Sequence, residues 1–149
     1  MIRRAKIKDS KNIQSLVNHF ADRGDMLHLS LEQIYERIFE FLLYEEDGKV
    51  LGCCALHPTM GDLAEIRSLA VDESVHGKGI GRRLVEECLK LAKEMGFEEV
   101  FALTYKQKFF EKLGFKVVKK ESFPRKIWSD CIKCPKFPDC DEIGMIIKL

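Results

Sequence analysis

Three clusters in the 149-residue chain carry residue types and spacings suited to chemistry. The first is His76-Gly77-Lys78-Gly79-Ile80-Gly81, which runs straight into a helical pattern from Arg82 to Met95. A glycine-rich loop entering a helix N-terminus presents unpaired backbone N–H groups, and the helix dipole adds partial positive charge. The spacing predicts a phosphate-bearing ligand held at residues 77–82. The second cluster is Glu65 and Arg67, two apart in an apolar-rich run of strand length, Leu63 to Val71. Alternation along a strand puts both side chains on one face, either as an ion pair or with the arginine engaging a ligand carboxylate in a bidentate pair. The third is Cys131-x2-Cys134-x5-Cys140. Cys-x-x-Cys spacing lets two thiolates reach one tetrahedral metal such as zinc. Cys140 is close enough to be a third ligand, and His57, Asp141 or water a fourth. A second Cys-x-x-Cys is absent, so this is not a standard zinc ribbon. Thiols packed in the loop, or a disulfide or redox pair, are the alternatives, and metal analysis of untagged protein with a thiol titration separates them.

The elements that must position these clusters follow from periodicity. Ile2 to Ile7 reads as a first strand. Asp9 or Ser10 caps a helix whose face is Ile13, Leu16, Val17 and Phe20. After the break at Asp22 to Asp25 and an apolar connector, Met26 to Leu29, Ser30 and Gln33 have capping-box spacing. Leu31, Ile34, Tyr35, Ile38 and Phe39 then suit a second helix. Glu40 to Glu46 and Lys49 to His57 are strand-like around Asp47-Gly48, a hairpin turn signal. The second of these runs is nearly all apolar, which places it centrally. In the helix after the glycine-rich loop, Leu84, Val85, Cys88, Leu89, Leu91, Ala92 and Met95 approach the spacing of one buried face, and Gly96 ends it. Glu99 to Thr104 is a strand. Strand, helix and strand make a crossover unit, so 63–71 and 99–104 should be parallel neighbours. Gln107 to Leu113 is a short helix, and Phe115 to Glu121 and Glu142 to Leu149 are the last strands. The irregular stretch Ser122 to Asp141 is long for a compact domain, and such loops are usually functional or tied down.

Composition sets the bounds. The length fits one domain, able to bury about 70% of its unfolded surface. With 46% hydrophobic and 33% charged residues and a net charge of +1, neither disorder nor a nucleic-acid partner is expected. No apolar run approaches the ~20 residues of a membrane span. Met1 to Lys6 has no apolar segment behind its charges, unlike a secretory signal. The expectation is a soluble cytoplasmic protein with no membrane partner. That compartment is reducing, which argues against a disulfide framework for the six cysteines. Cys53, Cys54 and Cys88 sit in apolar patterns and read as small buried hydrophobes.

The order β-α-α-β-β-β-α-β-α-β-β with this loop resembles the GNAT superfamily of acyl-CoA-dependent N-acyltransferases. The likeness covers nearly the whole chain. Its loop signature, Gln/Arg-x-x-Gly-x-Gly/Ala, is matched by His76 to Gly81 except at the first position. A second signature is matched by Phe110-Glu111-Lys112-Leu113-Gly114-Phe115. The resemblance implies an α/β fold with a mixed central sheet of six to seven strands, splayed between strands 4 and 5, about four helices, and one N-acetyltransferase domain over 1–149. Asp62 to Val71, Phe101 to Tyr105 and Trp128 to Glu142 are further similar to the small stand-alone amino-acid N-acetyltransferases related to N-acetylglutamate synthase. That likeness implies acetyl-CoA as donor, an amino acid as acceptor with glutamate favoured, and the first step of arginine biosynthesis by direct transfer in a ternary complex. A small-molecule amine is the partner expected, and a second copy of the chain is a candidate one. Relatives commonly carry an arginine before the serine that opens the second helix. Here the residue is Leu29, with His28 before it, which keeps another amine acceptor open. A non-catalytic acyl-CoA-binding module is the reading from a different class.

The resemblance also implies site roles. The pyrophosphate rests on Gly77, Lys78, Gly79, Ile80, Gly81 and Arg82, with Arg82 and Arg83 alternatively a solvated first helical turn. Leu69, Ala70 and Val71 offer backbone groups to the pantetheine arm and the thioester oxygen. Glu65 is the general base, or else a structural partner of Arg67, which could itself bind an acceptor carboxylate. Relatives often have a tyrosine where Phe110 stands. Tyr105, at the exit of strand 99–104, is then the nearest hydroxyl to protonate the thiolate, unless it packs at the rim. Leu29 and Lys126 are placed at the acceptor side, Lys126 with Trp128 and Lys133 in the loop that overhangs it.

Overall fold

The computed structural model of the protein describes residues 1–119 and 142–149. In chain order its elements are β1 (Ile2–Arg4), α1 (Ser10–Ala21), α2 (Leu31–Glu36), β2 (Phe41–Glu46), β3 (Lys49–Met60), β4 (Leu63–Val71), α3 (Ile80–Glu94), β5 (Glu99–Thr104), α4 (Gln107–Lys112), β6 (Lys116–Val118) and β7 (Ile143–Lys148), with 3-10 turns at Ile7–Asp9, Ile38–Glu40 and Glu73–Val75. The seven strands form one sheet in the order β1-β2-β3-β4-β5-β7-β6. Among the described residues β4–β5 is the parallel pair and the rest are antiparallel. This is the mixed, seven-stranded sheet with four α-helices expected from the chain order.

Both faces of the sheet are covered. Leu84, Val85, Cys88 and Ala92 of α3 pack on Cys54, Leu56, Ala64, Ile66, Val100 and Ala102. On the other face Ile13 and Val17 of α1 and Ile34 of α2 pack on Phe41, Leu43, Cys53, Ala55 and Ala70. Further along that face Phe101 centres a smaller cluster with Leu63, Leu103, Val118 and Ile146. Cys53, Cys54 and Cys88 are fully buried, as their apolar context implies. Burial pushes the Cys53 thiol up to about 12, and the Cys88 thiol together with burial raises Cys54 well above the ordinary thiol value. Both therefore stay protonated and behave as apolar fillers. No helix among the described residues is long and apolar enough to cross a membrane.

Several boundaries differ from the sequence reading, each for a physical reason. The first strand ends at Arg4 because Asp9 is claimed from a distance. Its carboxylate accepts two bonds from Arg3 (2.9 and 3.0 Å) and one from the Lys6 backbone N–H (2.7 Å). The chain before α1 is thereby wound into a 3-10 turn, and Asp9 makes no side-chain cap to α1. The capping box of Ser30 and Gln33 forms as read. Helix α2 nonetheless breaks at Arg37 and continues as a 3-10 turn, which leaves Ile38 buried and Phe39 in solvent. Strand β3 runs three residues beyond His57, through Pro58. Its partner β2 has by then ended at Ala55, so the missing proline N–H falls on an unpaired edge. Helix α3 begins at Ile80 rather than Arg82, and Met95 at its end is exposed.

The Arg3–Asp9 pair joins β1 to α1, and Arg3 also bonds Glu45 of β2 (3.1 Å). Asp9→Ala removes a buried charge partner and is expected to lower unfolding stability by about 2 kcal/mol, read by urea titration. The Arg3 hydrogen bonds hold the Asp9 carboxyl below the ordinary carboxylate range. Its contribution is therefore complete above about pH 4, the unfolded value, and is lost as pH falls through the depressed folded value. The variant should lack that part of the acid-side slope.

Candidate active site

The site is organised by the place where two strands part. Strands β4 and β5 pair at Leu63–Glu99, Ala64–Val100 and Glu65–Phe101. Beyond Glu65 no further pairing joins them among the described residues, although β4 continues to Val71 and β5 to Thr104. The cause lies on the other side of β4. Its register with β3 passes from Ala55 opposite Arg67 to Cys53 opposite Ala70, so β4 holds one extra residue there. Ser68 takes φ +53°, and the Cys53 thiol donates to its carbonyl (3.3 Å). This β-bulge bends the strand and resets its alternation. Before it Ala64 and Ile66 face α3; after it Leu69 and Val71 do, and Ala70 faces α1. The backbone of Leu69 to Val71 is left without a β5 ladder among the described residues.

The glycine-rich loop follows directly from the end of β4. The His76 ring donates to the Val71 carbonyl (2.6 Å) and stacks on Phe20 of α1 (6.0 Å between centroids). Glu73 binds His19 (2.7 Å) and Arg23 (2.8 and 3.0 Å) at the end of α1. Asp72 accepts both the N–H and the O–H of Ser74. The loop is thus tied to the end of β4 and to α1. Gly77 (φ +82°) and Gly79 (φ +77°) are left-handed, with nothing within 4 Å of where a side chain would begin. Only glycine adopts this backbone without strain, and the first N–H groups of α3 have no partner within the helix. These residues fit a pyrophosphate. Phe109 of α4 packs beside Gly81. Lys78 is exposed, and Arg82 is an exposed side chain bonded to Glu86 (3.2 Å). Arg83 lies over the Tyr44 ring (5.4 Å).

At the point of the split stands Glu65, the last β4 residue paired with β5. Arg67 Nε donates to its Oε1 at 2.6 Å, and both side chains are largely shielded. Around Glu65 on this face are Leu63 and Arg67 on its own strand, His57 directly opposite on β3 and Phe101 directly opposite on β5. His57 Nδ1 in turn bonds Glu40 (2.9 Å). Four ionisable side chains, Glu40, His57, Glu65 and Arg67, therefore form a row across β3 and β4. Sequence reasoning placed His57 at the end of a buried strand but did not find its pairing with Glu40, which needs the β2–β3 geometry.

The remaining sequence candidates divide. Tyr105 lies half-buried at the exit of β5. The Thr104 hydroxyl accepts the Lys106 N–H (2.9 Å) and is used in the turn into α4. Phe110 is buried between Phe109 and Phe115 as an edge-on aromatic contact. The Leu29 side chain is turned into the α1–α2 core. Its backbone is bracketed by Asn18, which accepts its N–H (2.9 Å) and donates to its carbonyl (3.1 Å). Leu29 thus anchors the connector through packing. Lys126, Trp128, Lys133 and the cysteines 131, 134 and 140 lie outside the described residues. Among the described residues no group of three or more His, Cys, Asp or Glu side chains is placed to hold a metal ion.

The acetyltransferase (GNAT) family profile matches residues 13–115. The chain belongs to this family. It is 46% identical over 145 residues to an uncharacterized N-acetyltransferase of Chlorobaculum tepidum, covering 97% of this chain and 94% of that one. It is 39% identical over 118 residues to an amino-acid acetyltransferase of Mycobacterium tuberculosis, covering 77% and 67%. It is 33% identical to an amino-acid acetyltransferase of Neisseria meningitidis but spans only 29% of that longer protein. Among solved structures, a Mycobacterium tuberculosis protein in complex with CoA and NLQ superposes with a TM-score of 0.85 at 30% identity, covering 100% and 99% of the two chains. N-acetylglutamate synthase of Neisseria gonorrhoeae, complexed with coenzyme A and N-acetyl-glutamate, superposes with a TM-score of 0.91 at 28% identity, over 100% of this chain and 35% of that one. The expected family is therefore the observed one, and this member is an acetyltransferase.

The loop geometry gives a direct test. Gly79→Ala forces a side chain into a left-handed backbone and should cost about 1–2 kcal/mol of stability. If the loop cradles a pyrophosphate, the same change weakens CoA binding at least tenfold by titration calorimetry, while Gly48→Ala, at a distant turn with similarly positive φ, leaves CoA affinity unchanged.

Proposed function

We propose that residues 1–149 form a single N-acetyltransferase domain that moves the acetyl group of acetyl-CoA to the α-amino group of an amino acid, with glutamate the favoured acceptor. Transfer is direct, in a ternary complex, and the reaction class fits the first step of arginine biosynthesis. The observation that carries this reading is the position of Glu65: a shielded carboxylate at the apex of the β4–β5 split, beside Arg67 and upstream of Leu69–Val71, which have no β5 ladder among the described residues. Relatives named amino-acid acetyltransferase support the acceptor class, and the structure of a synthase holding N-acetyl-glutamate supports glutamate.

The chemistry requires an unprotonated amine, a donor to the developing oxyanion and a way to stabilise the departing thiolate. In this reading the backbone N–H groups of Gly77 to Arg82 hold the pyrophosphate. Backbone groups of Leu69, Ala70 and Val71 hold the pantetheine amides and polarise the thioester carbonyl. Glu65 takes the ammonium proton, directly or through one water. Arg67 binds a carboxylate of the acceptor in a bidentate pair while remaining in reach of Glu65. Tyr105 is the hydroxyl nearest the leaving sulfur on the β5 side. Leu29 would support the acceptor side through its packing in the α1–α2 core, and Lys126 with a metal at the three loop cysteines, all outside the described residues, would complete it. A second acceptor, another amino acid or a different amine, is favoured by one feature, the apolar Leu29 in place of the relatives' arginine.

Release of free CoA thiol with a panel of amino acids and polyamines tests the assignment. Glutamate should give the highest kcat/KM. Turnover confined to polyamines or protein amines would contradict an amino-acid acceptor. Glu65→Gln should lower kcat by about 100-fold or more with little change in CoA affinity.

A further inference from the structure

Beside Glu65 lies a second ionisable pair on the same face of the sheet. His57 of β3 is the direct cross-strand partner of Glu65. Side chains so placed share one face, with β-carbons about 5 Å apart. The His57 Nδ1–H donates to Glu40 Oε1 at 2.9 Å. An ionised carboxylate can only accept, so the bond places a proton on Nδ1 and leaves the Nε2 lone pair as the acceptor of the neutral ring. Among the described residues Nε2 makes no hydrogen bond. The His57 side chain is 26% exposed and that of Glu40 21%, against 9% for Glu65. The pair therefore sits between the shielded carboxylate and solvent.

Arg67 donates to the Glu65 carboxylate at 2.6 Å. A proton taken from the acceptor weakens that contact, so it must move on before the next step. Two protons leave the nitrogen during transfer. The first leaves the ammonium before attack, its N–H electron pair becoming the nucleophilic lone pair. The second leaves as the tetrahedral intermediate collapses, and it balances the thiolate released from the broken C–S bond. The first has no partner among the products and must reach solvent.

We infer that His57, held by Glu40, is the relay that drains this first proton from Glu65. The inference rests on the reading of Glu65 as base. The proton passes from the Glu65 carboxyl through one water to Nε2 of His57, regenerating the carboxylate beside Arg67. The imidazolium is stabilised by Glu40 and then loses its proton to solvent at the exposed edge of the ring. Among the described residues the charged groups facing His57 are Glu40 from the Ile38–Glu40 turn and Glu65 and Arg67 from β4. With the ring neutral this row carries a net charge of −1, and protonation of the ring brings it to zero. His57 acts through Glu65 and is a positioning and relay residue rather than one that touches the acceptor.

His57→Asn tests this in the full chain, because its side-chain amide can keep the donor to Glu40 while removing Nε2. The expected result is a fall in kcat of about tenfold or more, KM values for both substrates within about twofold of wild type, and a changed pH profile of kcat/KM on the acid side. His57→Ala should be similarly slow and partly restored by added imidazole. The rescue is read as a ratio in one protein, so a loss of stability does not mimic it. Glu40→Gln should slow kcat with the same pH signature. An H57N protein with wild-type kcat and pH profile, alongside an impaired E65Q, would overturn the relay and leave the proposed function standing. A rate loss carried by KM alone, with no imidazole rescue, would also overturn it by marking His57 as structural. Absence of acetyl transfer to any amino acid by wild-type protein would instead remove the acceptor reading, and the relay with it.

Discussion

The parallel ladder between β4 and β5 is three residue pairs long, and its end is set by one extra residue in β4. Ser68 sits in a left-handed backbone conformation, which a non-glycine residue adopts only when its surroundings hold it there. The holding contacts are named: the β3 register on either side, and the Cys53 thiol on the bulge carbonyl. A regular β4 would continue to pair with β5 and close the sheet. With the bulge, β4 leaves β5 after Glu65, and Leu69 to Val71 keep only their β3 partners among the described residues. The same displacement brings the end of β4 to the glycine-rich loop, where His76 fastens it through the Val71 carbonyl.

The bulge also lets one strand serve two purposes. Upstream of it, Glu65 and Arg67 face the α1–α2 side, where ions are gathered in a row with Glu40 and His57. Downstream, Leu69 and Val71 face α3, where the core is apolar. Without the reset in alternation, continuing the Glu65–Arg67 parity would place Leu69 and Val71 on the charged side. The ionisable row is kept from being a liability by pairing, since Arg67 meets Glu65 at 2.6 Å and the His57 ring meets Glu40 at 2.9 Å. Its neighbours Leu63 and Phe101 exclude water from one side, which strengthens the electrostatics of whatever binds there. In the proposed reading, donor and acceptor would meet different chemistry on opposite ends of one strand: backbone dipoles for an anion and amides, and side-chain charges for an amine and carboxylate.

Much of this was legible where local physics decides. The Asp47-Gly48 turn, the Ser30–Gln33 box and the limits of β5 all carry short-range signals, and each appears where read. The same holds for the order of elements, which identifies the family. The Glu65–Arg67 pair follows from strand alternation alone. What escaped depends on partners far along the chain. Asp9 looked like a helix cap, but Arg3 and the Lys6 N–H compete for its carboxylate and win. Leu63 to Val71 reads as an unbroken strand because serine carries no bulge signal; the bulge is visible only against β3. The Glu40–His57 contact joins residues seventeen apart and exists only once β2 and β3 are in register. Pro58 would normally argue against a strand, and it is tolerated because β2 has already ended.

The central claim is that the part of β4 beyond its β5 ladder and the glycine-rich loop are the two ends of one acetyl-CoA site. Residue-resolved amide hydrogen exchange, with and without acetyl-CoA, tests it most directly. The account predicts slowed exchange concentrated at Leu69 to Val71 and at Gly77 to Arg82, with β1 and the Asp47-Gly48 turn unchanged. Slowing that leaves Leu69 to Val71 untouched, or that appears mainly away from the β4–β5 split, would contradict it.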